Sequence, residues 1–99
     1  MNISAPELKP PRAATVSVSD DTLSVELTDG RSISVPLAWY PRLAHSTSEE
    51  RSNWRLIGGG EGVAWPDIEE DLSIASLIAG RPSQETQSSL RKWLETRKA

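Results

Sequence analysis

The sequence predicts a small α+β domain, in which a largely antiparallel sheet, an N-terminal three-stranded meander plus a later hairpin, carries short helices on one face and ends in a C-terminal helix. Three observations lead there. Apolar residues alternate with polar ones from Ala14 to Leu37, which is the period of half-buried strands. The spacing then lengthens to that of a helix. The whole order runs strands, helices, strands, helices, which helices packed on a small sheet accommodate most simply.

Each element has a local reason. Pro6, Pro10 and Pro11 remove backbone donors and hold their predecessors extended, so residues 1–12 read as a loose, flexible lead-in. Val16 and Val18 mark the first strand, Leu23, Val25 and Leu27 the second, and Ile33, Val35 and Leu37 the third. Asp20-Asp21 separates the first two. Asp29-Gly30 suits the positive φ values of a type I′ turn and predicts a tight two-residue hairpin between the second and third. After Pro36, residues Ala38, Trp39, Leu43 and Ala44 suit a short helix whose first turn tolerates Pro41. Thr47-Ser48-Glu49-Glu50 sets a hydroxyl three residues before a carboxylate, the signature of a capping box, and opens a second helix.

Trp54, Leu56 and Ile57 before Gly58-Gly59-Gly60, with Val63 and Trp65 after, predict strand, glycine turn, strand. Residues 66–71 read as an acidic, solvated, proline-started segment. Ser73 is placed to cap a helix carrying Ile74, Leu77 and Ile78, which Gly80 stops and Pro82 keeps from resuming. Ser83 is expected to cap the last helix, with Leu90, Trp93 and Leu94 as its apolar stripe. The domain proper is therefore residues 13–82, followed by a C-terminal helix within 83–99.

Composition narrows the classes of function. A chain of 99 residues buries roughly two-thirds of its unfolded surface, enough for one core and no second domain. The absence of cysteine excludes disulfides, a thiolate nucleophile and a thiolate metal site, and makes a reducing cytoplasm the default location. No stretch approaches the ~18 apolar residues of a membrane span, and residues 1–13 lack a signal-peptide core, so no membrane partner is expected.

The formal charge of −3 is unevenly spread. Residues 49–71 hold seven acids, Glu49, Glu50, Glu61, Asp67, Glu69, Glu70 and Asp71, against Arg51 and Arg55, whereas residues 81–98 hold five bases against Glu85 and Glu95. The first stretch favours a basic partner. In the second, Arg91, Lys92 and Lys98 are candidate phosphate contacts, although cations near a helix C-terminus also complement its dipole.

Catalytic constellations are missing. His45 is the only imidazole, it stands near a helix boundary, and no Gly-x-Ser-x-Gly elbow accompanies it. Asp67, Glu69, Glu70 and Asp71 lack the alternating oxygen spacing and central glycine of a calcium loop, so no metal is assigned. The glycine run leads into Val63 and Trp65 instead of Gly-Lys-Ser or Gly-Lys-Thr, and so reads as a turn instead of a phosphate cradle. No carboxylate pair is placed across a cleft as glycoside hydrolysis requires. No cofactor is expected.

Asp29-Gly30-Arg31, Val35-Pro36-Leu37, Tyr40-Pro41-Arg42-Leu43, Glu49-Glu50-Arg51 and Trp54 together resemble the bacterial family known as domain of unknown function 2442. Gly60-Glu61-Gly62-Val63, Trp65-Pro66, Glu70-Asp71-Leu72-Ser73 and Leu77-Ile78-Ala79-Gly80-Arg81-Pro82 extend the resemblance from about residue 16 to about residue 82, in the same order and spacing. The resemblance implies a small α+β domain without enzymatic activity, found alone or joined to a helix-turn-helix domain. It also implies a gene beside a second small protein, as in a toxin–antitoxin pair. Many relatives carry His before the Trp-Pro pair where this chain has Ala64, so no imidazole role transfers. No helix-turn-helix is expected to follow, because the chain ends soon after its last helix.

These readings converge on a non-enzymatic protein-binding module, the antitoxin-like or regulatory member of a two-protein system, whose partner is a small, basic protein. Tyr40, Arg42, Arg51, Trp65, Asp67, Glu69, Glu70 and Asp71 are the candidate partner-binding residues. Arg42 and Arg51 are equally suited to internal salt links with those acids, and the tryptophans to filling the core. A DNA-associated regulator working through the basic last helix is the alternative. A small-ligand binder or an enzyme is the remote one.

Overall fold

Strand alternation becomes pairing in the first sheet. The computed structural model describes residues 10–97; Lys98 and most of the expected lead-in lie outside them. Strands β1 (Ala13–Val18), β2 (Thr22–Leu27) and β3 (Ser32–Pro36) form an antiparallel meander. Leu23, Val25 and Leu27 of the central strand are buried, while Ser24 and Glu26 turn away from the core. The register slips between Ala13 and Thr15, so Ala14 is the extra residue of a bulge, and both Ala14 and Thr15 are exposed.

The β2–β3 turn differs from the expected type I′. Leu27 and Arg31 close a three-residue loop, through Leu27 N–H to Arg31 O at 2.8 Å and Gly30 N–H to Leu27 O at 3.1 Å. Gly30 has φ 92°, but Asp29 has no positive φ. Asp29 instead accepts the Arg31 amide at 3.0 Å and its Nε at 2.8 Å, so its side chain fastens the loop.

The single helix expected from Ala38 to Ala44 is divided. A 3₁₀ turn, Leu37–Trp39, is followed by a break at Tyr40 and then by α1 (Pro41–Ala44). Pro41 has no amide to continue the first segment, and it serves as the N1 residue of the second. Helix α2 (Ser48–Ser52) has the expected capping box, with Glu50 N–H on Thr47 Oγ1 at 3.1 Å and Thr47 N–H on Glu50 Oε1 at 2.9 Å.

The second half forms a sheet of three strands, one more than the expected hairpin. Strands β4 (Arg55–Ile57) and β5 (Gly62–Trp65) flank the glycine run, and β6 (Glu70–Ser73) pairs antiparallel with β5. The acidic segment is thus a 3₁₀ turn, Pro66–Ile68, leading into an edge strand. Gly58, Gly59 and Gly60 have φ of 59°, 67° and 104°. A Cβ on Gly60 would stand 2.7 Å from the Ala13 carbonyl oxygen, so the two sheets approach each other there.

Ser73 caps α3 (Ile74–Ile78) as expected, accepting the Ser76 amide. The helix closes in a Schellman motif: Gly80 N–H bonds Leu77 O at 3.0 Å and Arg81 N–H bonds Ser76 O at 2.9 Å, with Gly80 at φ 73°. The last helix, α4 (Gln87–Thr96), starts later than expected. Its cap is Thr86, not Ser83, because Ser83 N–H is held by Trp39 O at 3.0 Å and the Ser83 hydroxyl accepts the Glu85 amide.

One core unites these layers. Leu23 and Val25 of the first sheet, Val63 and Trp65 of the second, and Leu43, Ile74 and Leu77 of the helices are all fully buried, each contributing about 1.5–3 kcal/mol for the larger aliphatic side chains. Trp93 seats α4 on this core, with Leu90 and Leu94 half-buried beside it. Among the described residues no helix is long and apolar enough to cross a membrane.

Candidate functional site

Residues 81–85, redirected by the Schellman turn, run opposite the edge strand β6 and leave a groove between them. Its inner part is a cavity of about 330 Å³ whose walls include Tyr40, Glu70, Leu72, Arg81, Ser83 and Gln84. A neighbouring cavity of about 360 Å³ shares Glu70, Asp71, Ser83 and Gln84 and extends to Arg42, Glu69 and Glu85. The facing segment is fastened by Ser83 N–H to Trp39 O and by the Arg42–Glu85 ion pair.

The charge in this groove follows from how it is built. Glu70 and Leu72 share one face of β6, and because Leu72 enters the core, Glu70 is drawn in at its border. Burial raises the Glu70 carboxyl to about 7; Arg42 works against that rise, while Glu85 and Asp71 add to it. Tyr40 is only 3% exposed, and its hydroxyl has no hydrogen-bond partner among the described residues. Burial first, and the Glu70 charge second, push this hydroxyl up to about 12, so it stays protonated. An unpaired buried hydroxyl costs about 1–3 kcal/mol. Just before Glu70, Glu69 is the sole non-glycine residue with positive φ, 53°, among those described.

Several residues expected at a partner surface have interior tasks. Trp65 is fully buried, and its indole Nε1–H donates to Arg51 O at 3.0 Å. The Arg51 guanidinium donates from Nε to Leu43 O and from Nη2 to Ala44 O, both at 3.0 Å, and so closes the C-terminus of α1. Arg42 pairs with Glu85, donates to Ile68 O at 3.0 Å and lies 5.3 Å from the Trp93 ring centroid. Neither arginine pairs with the acids at 67–71. Asp67, Glu69 and Asp71 remain on the surface. Asp67 accepts Asn53 Nδ2 at 2.9 Å, and among the described residues none of the three acids is in an ion pair.

Glu69, Glu70 and Asp71 line the groove with Tyr40 and Arg42, whereas Asp67 lies outside its lining and Arg51 and Trp65 belong to the scaffold. On α4, Arg91 and Lys92 are exposed; Lys98 lies outside the described residues. Glu85, Ser83, Gln84 and Arg81 complete the groove without having been expected there. The Gly80-Arg81-Pro82 stop was the available signal, since it obliges the chain to turn back beside β6. His45 is exposed, and among the described residues no three His, Asp or Glu side chains gather as metal ligands.

The fold is similar to that of a protein of unknown function from Rhodospirillum rubrum, known from a crystal structure, with a TM-score of 0.66 and 25% identity over 83% of this chain and 99% of that one. It is also similar to an uncharacterized protein from Chromobacterium violaceum, solved by solution NMR, with a TM-score of 0.63 and 19% identity over 88% of this chain and 76% of that one. No curated protein matches the sequence. The profile of the family described as protein of unknown function (DUF2442) matches residues 13–83, which take in both sheets, the first three helices and most of the groove; the chain belongs to the DUF2442 family.

Proposed function

We propose that this chain is a non-enzymatic protein-binding module, the antitoxin-like or regulatory member of a two-protein system, that engages a small basic protein through the acidic rim of the groove. The observation that carries this reading is the exposure of Asp67, Glu69 and Asp71 within five residues, none in an ion pair among the described residues. Carboxylates so placed steer and orient a cationic partner. The reading assigns both proteins to the cytoplasm, in keeping with a chain free of cysteine.

The test is capture from native lysate at moderate salt with the tagged full chain and with Asp67→Lys, Glu69→Lys and Asp71→Lys. A stoichiometric basic protein that is held by the wild type and lost from the reversed variants supports the reading. Equal retention by every variant, or recovery of the chain alone, overturns it.

The regulator alternative rests on Arg91, Lys92 and Lys98, of which Arg91 and Lys92 lie on the exposed face of α4. Three phosphate contacts give a slope of about −2.7 in log affinity against log salt. Titration of duplex DNA at low salt with no binding, or binding unchanged in a double Arg91→Ser, Lys92→Ser variant, removes this alternative.

A further inference from the structure

Resting on the partner-binding reading, we infer that the groove between β6 and residues 81–85 is a receptor for one alkylammonium group, the side chain of a single lysine of the partner, with the Glu70 carboxylate as counter-charge and the Tyr40 hydroxyl as an acceptor. The exposed acids would attract any cation. The inner cavity is different, because the Tyr40 hydroxyl in its wall is buried and without a partner among the described residues, with the half-buried Glu70 beside it.

Tyr40 is 3% exposed and its hydroxyl lacks a partner among the described residues, so a donor entering the cavity gains a bond that water outside does not supply. Glu70 is drawn in beside it, and the charges facing Glu70 come from each neighbouring element: Arg42 from α1, Arg81 and Glu85 from the facing segment, and Glu69 and Asp71 from its own. Arg42 and Glu85 neutralise each other. With Glu70 ionised, two carboxylates, Glu70 and Asp71, share the inner cavity with Arg81, and the cavity retains a net negative charge.

The form of the acceptors selects ammonium over guanidinium. A guanidinium would set its parallel donors on the two oxygens of the Glu70 carboxylate and leave the other acceptors of the cavity unmet. Here the acceptors are separate, Glu70 and Tyr40 from one side and Gln84 from the other, which suits the three diverging donors of an ammonium. Arg81 is the resident cation that a lysine must share the groove with, so Arg81→Ser is expected to tighten binding. Burial holds Glu70 protonated up to about 7, and a cation binds its ionised form; affinity therefore falls as pH drops below that value.

The experiment is an NMR titration of the ¹⁵N-labelled full chain with N-acetyl-lysine methylamide, in parallel with N-acetyl-norleucine methylamide and 1,4-diaminobutane. Saturable shifts at the amides of Tyr40, Glu70, Ser83 and Gln84 are expected with the lysine probe and not with norleucine. Glu70→Gln should weaken binding about tenfold or more, and Tyr40→Phe by a smaller factor. Glu70→Asp, which keeps the charge, should retain part of the affinity, and a dispersed spectrum verifies that each variant is folded. Unsaturable shifts confined to Asp67, Glu69 and Asp71, or binding indifferent to Glu70→Gln, overturn the inference while leaving the capture experiment to judge the acidic rim. Tighter binding of diaminobutane than of the lysine probe overturns lysine as the source in favour of a free polyamine.

Discussion

Arg97, just beyond the last helix, grips Glu50, near the start of α2, with two parallel bonds: Nη1 to Oε2 at 2.9 Å and Nη2 to Oε1 at 2.6 Å. The same carboxylate completes the capping box with Thr47, and the same guanidinium lies 4.5 Å from the Trp93 ring centroid. One ion pair thus joins a helix cap, an aromatic anchor and the closing turn of the chain.

This pair predicts acid sensitivity. Chiefly through the Arg97 hydrogen bonds, Glu50 is lowered from 4.5 to about 2, so its contribution is present above pH 4.5 and is lost as pH falls toward 2. Glu50→Gln should cost about 1 kcal/mol at pH 7 and flatten the acid limb of the stability curve. Urea midpoints at pH 3 and pH 7 check both expectations.

Glu70 predicts the opposite slope. Its folded value lies above its unfolded one, so the folded state holds the proton more tightly and stability declines as pH rises from 4.5 through about 7. Glu70→Gln should be more stable than wild type at pH 8 and equal to it at pH 4. Denaturation midpoints at the two values decide this.

Tyr40→Phe removes a buried hydroxyl that has no partner among the described residues and leaves the ring in place. It should raise stability by about 1 kcal/mol, measured by urea unfolding. A variant that gains stability while losing affinity for the lysine probe would show the hydroxyl retained for binding at a cost to the fold.

Glu69 occupies a left-handed conformation that a side chain with a Cβ tolerates poorly. Glu69→Gly should be neutral or stabilising by up to about 1 kcal/mol, and Glu69→Val destabilising by about 1–2 kcal/mol, in thermal or urea unfolding.

What the sequence made legible was what short-range chemistry decides. The alternation at Leu23, Val25 and Leu27, the Thr47–Glu50 box, the Ser73 cap and the Gly80 stop all depend on neighbours within a few positions, and all appear in the structure. The resemblance drawn over residues 16–82 coincides with the matched span of 13–83. Strand β6 was not legible, because Glu70-Asp71-Leu72-Ser73 offers one buried apolar residue and becomes a strand only by pairing with β5. Ser83 and Thr86 are both competent caps, and the choice between them lies with Trp39, whose carbonyl holds Ser83 in the extended segment. The site was half legible: Asp67, Glu69 and Asp71 are exposed as read, but Glu70 is drawn in, and whether Tyr40 and Trp65 face outward depends on contacts across the whole fold, where both turned inward.

The left-handed glycines at 58–60 bear on how such a chain diverges over time. Three successive residues there have positive φ, and at Gly60, with φ 104°, the Ala13 carbonyl occupies the space a side chain would need. A descendant that exchanges Gly60 must re-route the crossing between its sheets.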